Sequence, residues 1–461
     1  MDKNITSTNQ NAKIILNKSK SLLNTTKSLL NTTKSLLVNH QSKEQIKNFE
    51  NFRFSIKSVY SGSINSLTVT PDGKIIVSGN SDNTIKLWEA NSGKQIQVIK
   101  GHSSNINSVA ITADGKYIVS SDGAYGEAGT IKLWELKTGK ELRTFNGHRD
   151  KVNSVAITPD GKYIVSSGNW DGTIRLWEVS SGKELRIFSE HMGRVDSVVL
   201  TPDGKYIVNT DGSTIKLWEI SSGKLLHTFE GNSKSINSIA ITPDGKYIVS
   251  GSLDNRIKIW EISSGKEIQS FNWFPNNWLQ NIIVSVAITP DGKYIISGGN
   301  DNTINLMEIS SGKILQTFED YTEEYDEEYD DVNSIVITPD GKYIISGGTD
   351  CTIKLWEIRS GKLLCSYVSD ENNEWYSWTP DGYYNCSYGA YKYFSFLDDS
   401  KGIPEFVSQD HPVYKAKKKE ILLSDYICGT SLYTDNVPAK TGLKEYNKIS
   451  EIEIDEDEIP F

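Results

Sequence analysis

The chain is poor in the residues that build metal and redox sites. Its four cysteines, Cys351, Cys365, Cys386 and Cys428, lie at none of the spacings that bind zinc, and they read as separate thiols in a reducing cytoplasm. No apolar run reaches the roughly 18 residues of a membrane-crossing helix, so no membrane span is expected. The opening Met1-Asp2-Lys3-Asn4-Ile5-Thr6 lacks the apolar stretch of a secretion signal. No glycine-rich phosphate cradle occurs outside turn glycines, and no EF-hand spacing accompanies the acidic residues. No metal or cofactor is therefore assigned. A basic stripe is missing as well. The formal net charge of −10 is segregated: residues 1–50 carry eight lysines against three acids, residues 319–331 carry nine acids and no base, and residues 451–461 carry six acids and no base. The remainder is neutral, which argues against direct nucleic-acid binding and points to proteins as partners.

What the chain has in abundance is repetition. An Asp-Gly pair recurs with its aspartate at Asp72, Asp114, Asp160, Asp203, Asp244, Asp291, Asp340 and Asp381, and seven of these are followed by the same strand pattern. A period of this size marks a closed array of four-stranded units. The copy from Ile64 to Lys100 shows why. Ile64, Ser66, Leu67 and Val69 read as a first strand. Pro71-Asp72-Gly73-Lys74 is a turn. Ile75–Ser78 is a β-branched second strand. Ser81-Asp82-Asn83 turns again, and Thr84–Glu89 alternates as a half-buried third strand does. Ser92-Gly93-Lys94 leads to a fourth strand over Gln95–Ile99. One such meander cannot bury its apolar face alone, whereas a ring of them can.

These residues resemble the WD (Trp-Asp) repeat family of β-propellers, an all-β fold. The Trp-Asp pair stands here as Trp-Glu at Trp88, Trp134, Trp177, Trp218, Trp260 and Trp356, with Met307 in the sixth copy. The resemblance implies a buried hydrogen-bonded network of His, Ser, Asp and Trp in each copy. The third copy matches fully through His148, Ser166, Asp171 and Trp177. Ala128 occupies the aspartate position of the second copy, Asn232 the histidine position of the fifth, and the sixth and seventh lack the histidine. The segment from Trp378 to Ser387 also resembles a C-terminal Trp-Thr-Pro-Asp-Gly-Tyr-Tyr module of bacterial WD-repeat proteins, some of which carry a caspase-like peptidase elsewhere. No Cys/His dyad stands in recognisable context here.

The eighth copy, from Glu374 to Phe396, offers three strands. Phe54–Tyr60 stands where a fourth would be. Joining the two predicts an eight-bladed ring sealed by both chain ends. The alternative is seven blades with residues 374–397 outside the ring. Around the propeller at residues 51–400, a short N-terminal helical arm is expected over residues 1–50. An extension with a short helix is expected over 401–450, and a disordered acidic tail over 451–461.

Three appendages are candidates for function. In the arm, Lys-Ser-Leu-Leu recurs every seven residues from Lys20, which makes a weak seam for self-association over residues 13–40 or else a marginal helix. Two long connections follow the fifth and sixth copies. One holds Trp273, Phe274 and Trp278; the other, Glu319–Asp331, holds Glu323, Glu324, Tyr325, Glu327 and Glu328. Both should emerge on the face that carries Trp170 and Tyr125. Aromatics beside acids suit a basic partner. The alternative is that the aromatics fold inward and the acidic loop is merely solvated. The third appendage ends Ile459-Pro460-Phe461 after an acidic run. It resembles the tip of bacterial single-stranded-DNA-binding proteins, which docks on replication and repair enzymes, and the alternative is a solubilising tail. The six histidines fall mainly at the structural loop position, so no catalytic site is assigned. The expected function is a non-enzymatic scaffold for protein–protein interaction, with an adaptor acting through the C-terminal tip as the alternative.

Overall fold

The computed structural model describes residues 52–56, 62–189, 194–272, 282–319, 331–380, 384–387, 390, 394–398 and 405–406. These fall in two compact units, one holding 60–380 and the other drawn from 1–59 and 381–419. Among the described residues there is no α-helix.

The first unit is a propeller. Its first blade runs through Ile64–Val69, Ile75–Asn80, Thr84–Glu89 and Gln95–Lys100, each strand antiparallel to the one before. Six more blades repeat the plan over 106–146, 152–188, 198–229, 236–272, 283–318 and 332–369. Each Thr-x-Asp-Gly-Lys turn between first and second strands closes alike. In blade 1 the Thr70 hydroxyl donates to Asp72 Oδ1 (2.6 Å), and the Lys74 amide donates to the same oxygen (3.1 Å). Gly73 sits at φ 72°, which is why glycine holds that position. The Thr70 hydroxyl and the Lys74 amide keep the Asp72 carboxyl below its ordinary pKa.

Burial grades outward along each sheet. Second and third strands are buried almost throughout, whereas the fourth strands of blades 3, 4 and 6 alternate. The cores lie between blades. Val77, Ile85, Leu87 and Ile99 of blade 1 pack on Ile106, Val109, Ile118 and Trp134 of blade 2, and the arrangement steps around the ring.

The ring has seven blades, and the expected eighth is not among them. First strands touch one another in sequence around the centre, and the first strand of blade 7 touches that of blade 1. Across that junction Asn333 Nδ2 donates to the Ile64 carbonyl (3.1 Å), and the Leu67 amide donates to Ser334 Oγ (2.9 Å). No gap remains for another blade. Blade 7 already owns a fourth strand, Leu363–Ser369, so it needs none from the N-terminal side. The eighth copy begins with Trp375–Trp378, which pairs with Leu363–Ser369 as an additional outer strand. Its Trp375 stands where ring-lining strands have the serine, and Glu374 where they have the asparagine. The two chain ends do pair, Phe52–Ile56 antiparallel to Phe394–Asp398, but in a three-stranded sheet with Glu405–Phe406 in the second unit. The N-terminal arm, the helix expected within 401–450 and the acidic tail lie outside the described residues.

Candidate functional site: the loop face of blades 2 to 4

The hydrogen-bonded networks come first, because they position this face. In blade 3 the Trp177 Nε1–H donates to Ser166 Oγ (2.9 Å). His148 bridges Ser166 Oγ (2.7 Å) and Asp171 Oδ2 (2.7 Å). Burial alone would raise the Asp171 carboxyl, but His148, the Arg149 amide and Thr173 hold it well below the usual carboxylate range. The four side chains thus form one hydrogen-bonded chain from the third strand to the turn.

Blade 2 departs from expectation. Ala128 is not a gap in its network, because Asp122 at the end of the second strand takes the role. Its Oδ2 lies 2.9 Å from His102 Nδ1, and His102 Nε2 lies 2.5 Å from Ser120 Oγ. The turn at 123–129 is long, so the strand end rather than the turn reaches the histidine. In blade 4, Asn209 replaces the serine and accepts from Trp218 Nε1–H (2.9 Å). In blade 6, Met307 cannot donate, and the buried Ser297 hydroxyl has no hydrogen-bond partner among the described residues. Opposite signs follow for one substitution at two equivalent sites. Ser297→Ala should stabilise the protein by about 1 kcal/mol, whereas Ser250→Ala, which strands the Trp260 donor (3.0 Å), should cost about 1–2 kcal/mol. Urea midpoints of the two variants read the difference, and shifts of equal sign would refute the assignment.

A second network had a signal in the sequence that the repeat reading passed over. Ile-Asn-Ser or Val-Asn-Ser opens five of the seven first strands, at Asn65-Ser66, Asn107-Ser108, Asn153-Ser154, Asn237-Ser238 and Asn333-Ser334. A β-bulge falls at the asparagine in each of these strands. The asparagine amide donates to a carbonyl of the next blade, as from Asn65 to Ile106 (2.9 Å) and from Asn237 to Ile283 (2.9 Å). The serine hydroxyl accepts the next blade's amide, as Ser66 does from Val109 (3.1 Å). Two positions break the pattern, Asp196 in blade 4 and Val284 in blade 6. Asp196 accepts from Arg194 Nε (2.8 Å) and from Asn153 Nδ2 (3.2 Å), and burial pushes its carboxyl up.

Blades 2 and 3 are where the repeat is interrupted by exposed aromatics among the described residues. The turn between second and third strands spans 81–83 in blade 1 and 253–255 in blade 5, but 123–129 in blade 2. That insertion carries Tyr125. The matching turn in blade 3, 169–173, is one residue longer than those at 300–303 and 349–352, and the addition brings in Trp170. Tyr125 is 70% exposed and Trp170 is 59% exposed. Their rings meet edge to face, 6.1 Å between centroids. Both turns grip the connection from blade 2 to blade 3. The Gly129 amide donates to the Asp150 carbonyl (3.1 Å), and the Asn169 amide donates to the Lys151 carbonyl (2.9 Å). A Cβ on Gly123 would stand 2.6 Å from Lys151 Cα, so only glycine lets the turn come this close.

Of the residues expected to bind partners, Trp170 is placed here. Trp273, Phe274, Trp278, Glu323, Glu324, Tyr325, Glu327, Glu328, Ile459, Pro460 and Phe461 lie outside the described residues, as do residues 13–40. Among the described residues no cluster of His, Cys, Asp and Glu is arranged to hold a metal, and no helix is long and apolar enough to cross a membrane. Cys365 is fully buried, which pushes its thiol far above the range of a reactive cysteine.

Fold and networks together define a seven-bladed repeat propeller. The chain belongs to the WD domain, G-beta repeat family, whose model matches residues 54–89, 93–135, 139–178, 182–219, 223–261, 271–306 and 313–357. Each match ends on the third strand of a blade, so seven matches correspond to seven blades. The chain is also similar to an uncharacterised WD repeat-containing protein of Nostoc sp., with 40% identity over 53 residues. That stretch is 12% of this chain and 4% of the relative's length.

Proposed function

We propose that this protein is a non-catalytic scaffold that binds partner proteins through the face carrying the turns between second and third strands. The observation that carries the reading is the pair of inserted aromatics, Tyr125 and Trp170, exposed together on a ring whose other repeated polar groups serve its own hydrogen bonds. Rigid aromatics presented at low entropic cost are the usual anchors of protein interfaces. The connections holding Trp273, Phe274, Trp278 and the acidic Glu319–Asp331 join a fourth strand to the next first strand and are proposed to add to the same contact. Capture from a cell extract by the full chain should lose its specific partners when Glu319–Asp331 is replaced by Gly and Ser, or when Trp170→Ala is introduced. Retention of every partner by both variants would refute the reading.

A second reading rests on the acidic run ending Ile459-Pro460-Phe461, which suits docking on replication and repair enzymes. Here removal of 459–461 alone should release the partners, and the loop replacement should not.

A further inference from the structure

Tyr125 and Trp170 sit on the two turns that hold the connection carrying Lys151, and that gives the face a preference. Lys151 lies in the connection gripped by the two aromatic-bearing turns. It is half-buried, and neither its ammonium nor the exposed Arg149 guanidinium has an ion pair or side-chain hydrogen bond among the described residues. The carboxylates nearby are otherwise engaged. Asp150 turns back to accept the Lys151 amide (2.7 Å), Asp171 is held by His148 and the Arg149 amide (3.0 Å), and Asp196 is taken by Arg194. Burial and the nearby Arg194 depress the Lys151 pKa more than Asp196 and Asp150 raise it, so its charged form is only partly compensated where it stands. An anion placed over it would restore that compensation. A cationic partner would meet Lys151, Arg149 and Arg194 at close range.

We propose that the Tyr125–Trp170 pair, with Lys151 and Arg149, docks an acidic linear segment of a partner protein that carries one large apolar side chain. This deepens the scaffold reading and rests on it. The apolar side chain would pack against the two rings, where removal of water from aromatic surface supplies most of the affinity. The flanking acids would sit over Lys151 and Arg149 and speed encounter. Glu127, exposed on the Tyr125 turn, is the carboxylate that opposes such a segment.

The test uses the full chain and two fluorescein-labelled peptides of equal length, one of Asp and Glu around a single Phe and one with Lys in place of the acids. Anisotropy should report binding of the acidic peptide and not of the basic one, with affinity falling as salt is added. Trp170→Ala and Lys151→Glu should each weaken it by about tenfold or more, and Glu127→Lys should strengthen it. Trp170 is exposed, so Trp170→Ala should keep the parent's melting temperature, which separates loss of binding from loss of folding. Ending the chain at residue 450 tests the protein's own acidic tail as a rival occupant. Tighter peptide binding by the shortened chain would place that tail in the same site and support the chemistry. Preference for the basic peptide, no binding of either, or equal binding by Trp170→Ala and Lys151→Glu would overturn the proposal. Failure here with success of the loop-replacement capture would leave the scaffold reading standing and remove only this site and its charge.

Discussion

Trp177→Ala is expected to lower the stability of the propeller by about 3–5 kcal/mol, the usual cost of deleting a buried indole. Trp177 is 2% exposed and packs in the core between blades 2 and 3 with Val119, Ile131, Leu133 and Phe145. Its ring meets Phe145 edge to face at 5.9 Å. The substitution removes this packing and also takes from Ser166 its indole donor. Trp177→Phe separates the two effects. It keeps most of the apolar body, so its cost should fall to about 1–3 kcal/mol, the range for a lost buried hydrogen bond. Urea unfolding followed by far-ultraviolet dichroism reads both values. A loss below about 1 kcal/mol for Trp177→Ala would mean that the inter-blade core is looser than its burial indicates. Trp170→Ala, seven residues away in the chain but exposed, should change stability by less than about 0.5 kcal/mol.

Tyr367→Ala should be as costly, about 3–5 kcal/mol, and its effect should reach both ends of the ring. Tyr367 lies in the fourth strand of blade 7 and is fully buried. It stacks on Trp88 of blade 1 at 6.4 Å, and its hydroxyl donates to the Ala90 carbonyl (3.2 Å). The additional outer strand adds to the same seam, because Ser377 Oγ donates to the Ser92 carbonyl (3.2 Å) and Gln95 Nε2 to the Asn373 carbonyl (3.3 Å). Residues far apart in sequence thus close the ring through side chains, without an interleaved strand in this blade. An open repeat array would confine the damage to its last unit, since each repeat then meets only its neighbours. In the closed ring, hydrogen exchange should quicken in blades 7 and 1 together. Unchanged protection in blade 1 would show that Tyr367 is not part of the closure. Tyr367→Phe, which loses only the hydroxyl, should cost about 1 kcal/mol.

Much of the blade was legible because its signals are local. The Thr-x-Asp-Gly-Lys turn, the alternation over Thr84–Glu89 and the Trp-Glu pair each specify a strand or turn within a few residues, and repetition multiplied the signal. The complete network of His148, Ser166, Asp171 and Trp177 was legible for the same reason. The substitution at Ala128 misled because a longer turn let Asp122, six residues earlier, reach His102 instead. Trp170 and Tyr125 stood out as departures from an otherwise close copy. Their contact with each other, and the lysine held between their turns, could not be read from spacing, since they belong to different blades.

Blade number shows where residue order stops being sufficient. Eight Asp-Gly copies and a spare strand at each side of the repeats describe local units, and they pointed to eight blades where the ring closes with seven. The deciding contacts join Asn333 to Ile64 and Ser334 to Leu67. They depend on how far each sheet turns relative to the last, a quantity set by packing of Ile, Val and Trp between sheets. Residue order alone settles the repeat, the turns, the inward faces and the all-β architecture, because those follow from hydrogen bonding and periodicity within one unit. Only tertiary packing decides that seven units close the circle, that Trp375–Trp378 becomes an outer strand, and that two inserted aromatics meet on the turns that hold the connection through Lys151. Closure and contact are properties of the whole ring, and no single repeat encodes them.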